Sequence, residues 1–198
     1  MIAIKEWRTI FIKNYFIDQK MILMMGEYDQ YGKLCTRAMA GKSSFLVDRS
    51  PLKILDDTLK NIGFDLRGAM AGAKFLLNKK VKCPIMVNPY QGIYLFPNKS
   101  PFKKECIWFN PEHIVKTKAV GKKTIVEFSN GHSILLDSKL PNFNSKIQSA
   151  NQLKRLSIER GTNQNPITFY LAKDNNQLIK EKAGKYNFGV LEDEKSQD

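Results

Sequence analysis

Apolar residues along this chain fall mostly into short runs separated by turn residues, with only a few stripes at helical spacing. Met21-Ile-Leu-Met-Met25 is a continuous apolar run, Asp29-Gln-Tyr-Gly32 is turn material, and apolar character returns from Leu34 to Met39, so residues 14–47 are predicted as two or three strands. Ser50-Pro51 offers a helix cap followed by proline at the first helical position. Leu52, Leu55, Leu59 and Ile62 then recur at helical spacing until Gly63 ends the pattern. A second short helix is predicted over 66–77, weakened by Gly68 and Gly72.

The middle of the chain reads as strands. Pro84-Ile-Met-Val87 and Ile93-Tyr-Leu-Phe96 flank a turn through Asn88-Pro-Tyr-Gln-Gly92, and Cys106-Ile-Trp-Phe109 forms a further strand. His113 to Val120, Lys123 to Phe128 and Ser133 to Leu136 form a three-stranded meander, whose second turn carries the strong hairpin signal Asn130-Gly131. A helix follows Pro141 with Phe143, Ile147, Ala150, Leu153 and Leu156 on one face. The fold class is therefore α+β, strand-dominated, with antiparallel hairpins and a meander beside a few packed helices.

Both ends differ from this body. Ile4, Trp7, Ile10 and Phe11 fall at helical spacing and predict a short helix packed on the body; this opening is not expected to be a secretory signal, because it lacks an uninterrupted apolar stretch and a small-residue cleavage site. One short element is expected near 167–182, and Leu191-Glu-Asp-Glu194 marks an acidic tail. The boundaries drawn are 1–13 for an N-terminal extension, 14–160 for the main domain, 161–188 for a C-terminal segment and 189–198 for the tail.

Charge changes the picture most. The 32 Lys plus Arg against 19 Asp plus Glu give a net +13, an excess that does nothing for the fold but draws the protein toward polyanions. The window from Lys74 to Lys123 holds eleven lysines and two acids, Glu105 and Glu112. Candidate phosphate contacts are Lys79, Lys80, Lys82, Lys103, Lys104, Lys116, Lys118, Lys122 and Lys123, with Asn130 either a contact or a plain turn residue. Only six arginines accompany 26 lysines, which disfavours bidentate guanine reading in the major groove and fits groove shape or A·T preference. A strand-edge lysine can also serve merely to prevent aggregation.

Signatures of catalysis are missing. Ala40-Gly-Lys-Ser43 ends like a phosphate-binding loop, but Thr36 stands where its first glycine is required. His132 and Ser133 are neighbours on a strand and point to opposite faces, so they form no nucleophile–base pair. Cys35, Cys83 and Cys106 stand apart with no Cys-x-x-Cys unit, which reads as buried thiols in a reducing compartment and not as a metal site or a disulfide framework. Charges interrupt every apolar run, so no membrane span is expected. No enzyme activity, metal or cofactor is expected.

Several segments in order carry a resemblance. Pro84-Ile-Met-Val-Asn-Pro-Tyr-Gln-Gly-Ile-Tyr-Leu-Phe-Pro97 and Val126-Glu-Phe-Ser-Asn-Gly131 resemble two signature blocks of the competence transcription factor (ComK) family. Pro51-Leu-Lys-Ile-Leu-Asp56, the span Gly63 to Gly72, Cys106-Ile-Trp108, and Ser138 with Phe143 and Gln148 agree with it over roughly residues 14–160. The resemblance implies a cytoplasmic, nucleoid-associated activator of genes for DNA uptake and recombination. It would bind paired A/T-rich boxes in double-stranded DNA, mainly through the minor groove, as a dimer or dimer of dimers, and would act on RNA polymerase. It also implies control by a MecA-type adaptor with a Clp ATPase. The adaptor-binding stretch falls at Phe169, Tyr170, Leu171 and Lys173, where Ala172 replaces the family's proline. A fainter likeness links Phe109 to Leu156 to the end of LytTR-type DNA-binding domains. Two other readings fit the same charge: an RNA- or single-strand-binding protein using Tyr90 and Tyr94, and a basic module that meets an acidic protein.

Overall fold

Strands buried on both faces have no reason to alternate polar with apolar residues, and the continuous runs at the centre of this chain are such strands. The computed structural model describes residues 10–79 and 81–162. In chain order the elements are β1 (Ile10–Ile12), β2 (Met21–Tyr28), β3 (Leu34–Ala40), β4 (Ser43–Val47), α1 (Pro51–Lys60), α2 (Leu66–Leu77), β5 (Ile85–Asn88), β6 (Ile93–Pro97), β7 (Ile107–Phe109), β8 (Ile114–Val120), β9 (Lys123–Phe128), β10 (Ser133–Leu136) and α3 (Leu140–Thr162). Seven strands form one sheet in the order β1-β4-β3-β2-β7-β6-β5, and three form a second in the order β10-β9-β8. Among the described residues only the β1–β4 pair is parallel.

The large sheet is the middle layer. On one face Met21, Met24, Val47, Ile85, Leu95 and Trp108 meet Ile54 and Leu55 of α1. On the other, Ile22, Leu23, Phe96 and Phe109 meet Val126, Phe128 and Leu136 of the meander and Phe143 and Ala150 of α3. A third cluster joins α2 to α3 through Ala73, Leu77, Cys83, Tyr94 and Leu153. The α+β class, the central hairpin, the Asn-Gly meander and the closing helix agree with the sequence reading.

Details differ for identifiable reasons. Ile10, Phe11 and Ile12 form a strand, with Ile10 opposite Phe45 and Ile12 opposite Val47, instead of a helix. Pairing with the otherwise open edge of β4 supplies these backbone groups with partners, whereas a lone helical turn in water is unfavourable. Ile4 and Trp7 lie outside the described residues, as do the element expected near 167–182 and the acidic tail. Ser50 stands at the N-cap of α1, but its side chain makes no capping bond. Asp65 does cap: its carboxylate accepts from the backbone N–H of Gly68 at 2.8 Å, which starts α2. The phosphate-loop-like fragment is a tight hairpin turn, with Ala40 paired to Ser43 and Gly41 at a φ of 54°.

All three cysteines are buried thiols. Burial pushes the Cys106 thiol up to about 11 and raises Cys35 and Cys83 as well, so none is primed as a thiolate. Among the described residues no group of three or more His, Cys, Asp or Glu could hold a metal ion, and no helix is long and apolar enough to cross a membrane.

Phe143 is fully buried, with its ring 5.5 Å from Phe96 and 5.3 Å from Phe109. Phe143→Ala is expected to lower unfolding free energy by about 3–5 kcal/mol, read from chemical denaturation, while Gln152→Ala on the outer face of α3 changes it by less than about 0.5 kcal/mol.

Candidate nucleic-acid interface

Helix α3 organises the lysines. Residues two positions apart on a helix point about 200° apart, so Asn144 and Lys146 face opposite sides of it. On one side, Thr117 of β8 donates to Asn144 Oδ1 at 3.0 Å, and Thr124 of β9 donates to the Ser138 carbonyl at 2.7 Å. On the other, Lys146 donates to the Asn98 carbonyl, and Lys79 Nζ donates to Ser149 Oγ at 2.6 Å. The two lysine groups of the sequence are thereby set on the two flanks of the first turns of α3.

The first group joins the α2–β5 and β6–β7 connections. Lys79, Lys82, Lys103 and Lys104 are exposed there, together with Lys99. The Lys104 ammonium lies 5.8 Å from the centre of the Tyr28 ring, a cation–π contact that anchors the loop to the end of β2. Gly26 allows that approach, since a Cβ there would stand 3.0 Å from the Lys104 carbonyl oxygen. Lys82 sits in left-handed backbone at a φ of 53°, which is strained for a side chain with a Cβ. Half-buried Lys146 lies beneath this group, its ammonium disfavoured first by burial and next by the charge of Lys82.

The second group is the meander. Lys116, Lys118, Lys122 and Lys123 are all exposed. Lys122 is in the β8–β9 turn, whereas Lys116 and Lys118 stand mid-strand in β8. Lys139, at the start of α3, joins this side. Lys99 falls in the lysine-rich window but is given no contact by the sequence reading, although it lies close to Lys103 in sequence; Lys139 and Lys146 lie outside that window, and packing sets Lys146 beside Lys82.

Asn130 is turned inward. Its amide donates to the Gly41 carbonyl at 2.8 Å, and its Oδ1 accepts from the His132 N–H at 3.1 Å, so it ties the β9–β10 turn to the β3–β4 turn. His113 reinforces the junction: Nε2 donates to the Gln19 carbonyl at 2.7 Å, and Nδ1 pairs with Ser129 Oγ at 2.8 Å. Tyr90 is 81% exposed, whereas Tyr94 is only 2% exposed and packs against α2 and α3, so the expected pair of exposed stacking rings is not formed. Trp108 and Phe128 are core residues. Lys80 and the adaptor-type stretch Phe169, Tyr170, Leu171 and Lys173 lie outside the described residues.

These features define a class: a strand-rich α+β domain whose lysine-covered, arginine-poor surface is suited by charge to a polyanion. The chain belongs to the ComK family, whose model, described as ComK protein, matches residues 12–162. It is similar to the competence transcription factor of Bacillus subtilis (strain 168), at 29% identity over 137 residues that cover 69% of this chain and 71% of that relative. No solved structure matches the chain.

Asn130→Ala removes the tie to the β3–β4 turn and the bond within its own turn, and leaves the Gly41 carbonyl and the His132 N–H to find other partners. A loss of about 1–3 kcal/mol in unfolding free energy is expected by chemical denaturation. Lys82→Gly relieves the left-handed strain and adds chain entropy to the unfolded state, so its stability is expected to stay within about 1 kcal/mol of the parent.

Proposed function

We propose that this chain is a DNA-binding transcriptional activator of genes for DNA uptake and recombination, acting on A/T-rich promoter boxes mainly through the minor groove. The observation that carries the reading is the pair of exposed lysine groups flanking α3 in a member of the ComK family. The name of the Bacillus relative, competence transcription factor, supports the same reading. Ammonium groups on flexible stems neutralise phosphates as point charges and release counterions, which supplies sequence-independent affinity and fast encounter. Selectivity then comes from groove width and deformability, which a lysine-rich surface senses without guanidinium forks.

The phosphate contacts assigned are Lys79, Lys80, Lys82, Lys103, Lys104, Lys116, Lys118, Lys122 and Lys123, joined by Lys99 and Lys139. Asn130 has its amide engaged within the chain, so its part is to hold the meander in place. Paired boxes call for a dimer or a dimer of dimers, and activation calls for contact with RNA polymerase in the cytoplasm. Phe169, Tyr170, Leu171 and Lys173 form the candidate stretch for a MecA-type adaptor that delivers the chain to a Clp ATPase.

The test is a titration onto a labelled duplex carrying two spaced A/T boxes, beside a scrambled duplex of equal composition and the single strand of the box, at several salt concentrations. A preference of about tenfold or more (about 1.4 kcal/mol) for the box duplex that persists as salt rises is expected. Equal binding to all three that vanishes with salt would overturn sequence-selective regulation. Lys116→Ala with Lys118→Ala is expected to weaken both duplexes alike and to reduce the salt slope by about 2, close to one unit per lost phosphate contact.

A further inference from the structure

The outer face of the meander is not what a solvated sheet face ordinarily presents. Alternation on β9 sends Thr124, Val126 and Phe128 into the core and leaves Lys123, Ile125 and Glu127 facing out. Register carries the same split to the neighbours. Ile125 stands opposite Leu135 on β10 and Lys118 on β8, Glu127 stands opposite Ser133 and Lys116, and Lys123 stands opposite Val120. The outer face is thus an apolar pair, Ile125 and Leu135, with Lys118 completing the row and Lys116, Lys123 and Val120 around it. Leu135 is 52% exposed and Val120 45% exposed. A one-sided antiparallel sheet normally carries polar residues at such positions, and no described element lies over them. The acid on this face, Glu127, is matched across the strands by Lys116.

We infer that this face is the surface that enters the duplex: Ile125 and Leu135 press against the sugars and base edges of an opened minor groove, while Lys116, Lys118 and Lys123 take the adjoining phosphates. The inference rests on the DNA-binding reading above and deepens it. The occupant is chosen by charge, since three lysines surround the apolar pair. Three strands at a spacing of about 4.8 Å make a face roughly 10 Å across before side chains are added. The unperturbed minor groove is only about 6 Å wide. The face seats only if the groove opens, and apolar side chains pressed on an opened minor groove go with bending of the helix axis. A/T-rich boxes with flexible steps deform at least cost, so selectivity follows without any hydrogen-bonded base reading.

The experiment uses the full chain and a box duplex with a fluorescent donor and acceptor at its ends, titrated beside the scrambled duplex. Parallel samples carry uracil in place of thymine, which removes methyl groups from the major groove only. The parent is expected to bind the box duplex, to shorten its end-to-end distance, and to be indifferent to uracil. Ile125→Ser with Leu135→Ser is expected to lose at least tenfold affinity for the box duplex and to lose the bend, while keeping the parent's affinity for the scrambled duplex and its salt slope. Both side chains are at least partly exposed, and an unchanged circular dichroism spectrum with a thermal midpoint close to the parent's checks that the fold persists. If the double variant binds and bends as the parent does, or the parent binds without bending, or uracil alone costs tenfold, the inference is overturned although DNA binding stands. If the parent binds no duplex at all, the DNA-binding reading itself falls.

Discussion

Phe109 is the point on which the rest of the structure depends. Its ring stacks on Phe96 at 5.5 Å and on Phe128 at 6.2 Å, and meets Phe143 edge-on at 5.3 Å. Those three partners belong to three different elements: the large sheet, the meander and α3. Aromatic pairs of this kind contribute about 0.5–1.5 kcal/mol each beyond the area they bury, and close packing leaves them little freedom to shift. Fixing Phe128 fixes the inner face of β9, and the two-residue period of a strand then fixes its outer face as well. A slip of one residue would turn Lys123, Ile125 and Glu127 toward the aromatic cluster and Val126 toward water, a penalty that pins the register. Placement of the basic surface is in this sense a consequence of the core.

Polar stitches complete what the aromatic junction begins. Asn110, at 2% exposure, donates to the Met21 carbonyl at 3.0 Å and accepts from the Glu112 N–H at 3.1 Å, which closes the end of β7 against β2. Asn130 and His113 do the same for the far turn of the meander. Each spends a short polar side chain on buried or half-buried backbone groups that would otherwise lack partners. A second sheet that touches the first through one cluster could rock about that contact; ties at the Phe128 end of β9 oppose such motion.

Much of this was legible in the sequence, because runs such as Met21–Met25 and the Asn130-Gly131 turn report local geometry directly. The helix stripe from Leu52 to Ile62 and the core role of Phe143 were legible for the same reason. What escaped reading depends on partners distant in sequence. Ile10 and Phe11 keep helical spacing yet pair with β4, because an open strand edge is a property of the sheet and not of the segment. Tyr94 sits in a hairpin that alternation could not orient, since β6 is buried on both faces. The Asp65 cap lay hidden behind a glycine-weakened helix signal. Lys146 carries no local mark, and only packing brings its charge beside Lys82. The family was legible because two blocks, 84–97 and 126–131, stand in order, and both build the walls around Phe109.

The same surface carries a cost that its partner relieves. A net charge of +13 repels itself in the compact state, and one lysine shows the effect individually: the Lys146 ammonium is disfavoured by its burial and by the charge of Lys82. Lys82 adds backbone strain at the same place. Neither feature helps the free chain fold, and the arrival of a dense line of phosphates eases the first by screening the lysines from each other. On the proposed reading the repulsion between these lysines is relieved on binding. Affinity then depends on preorganised repulsion as well as on new contacts, and arginine would serve less well. Its guanidinium keeps its charge when buried and forks rigidly toward single partners, whereas lysine yields its proton when crowded and follows a phosphate backbone wherever the groove moves.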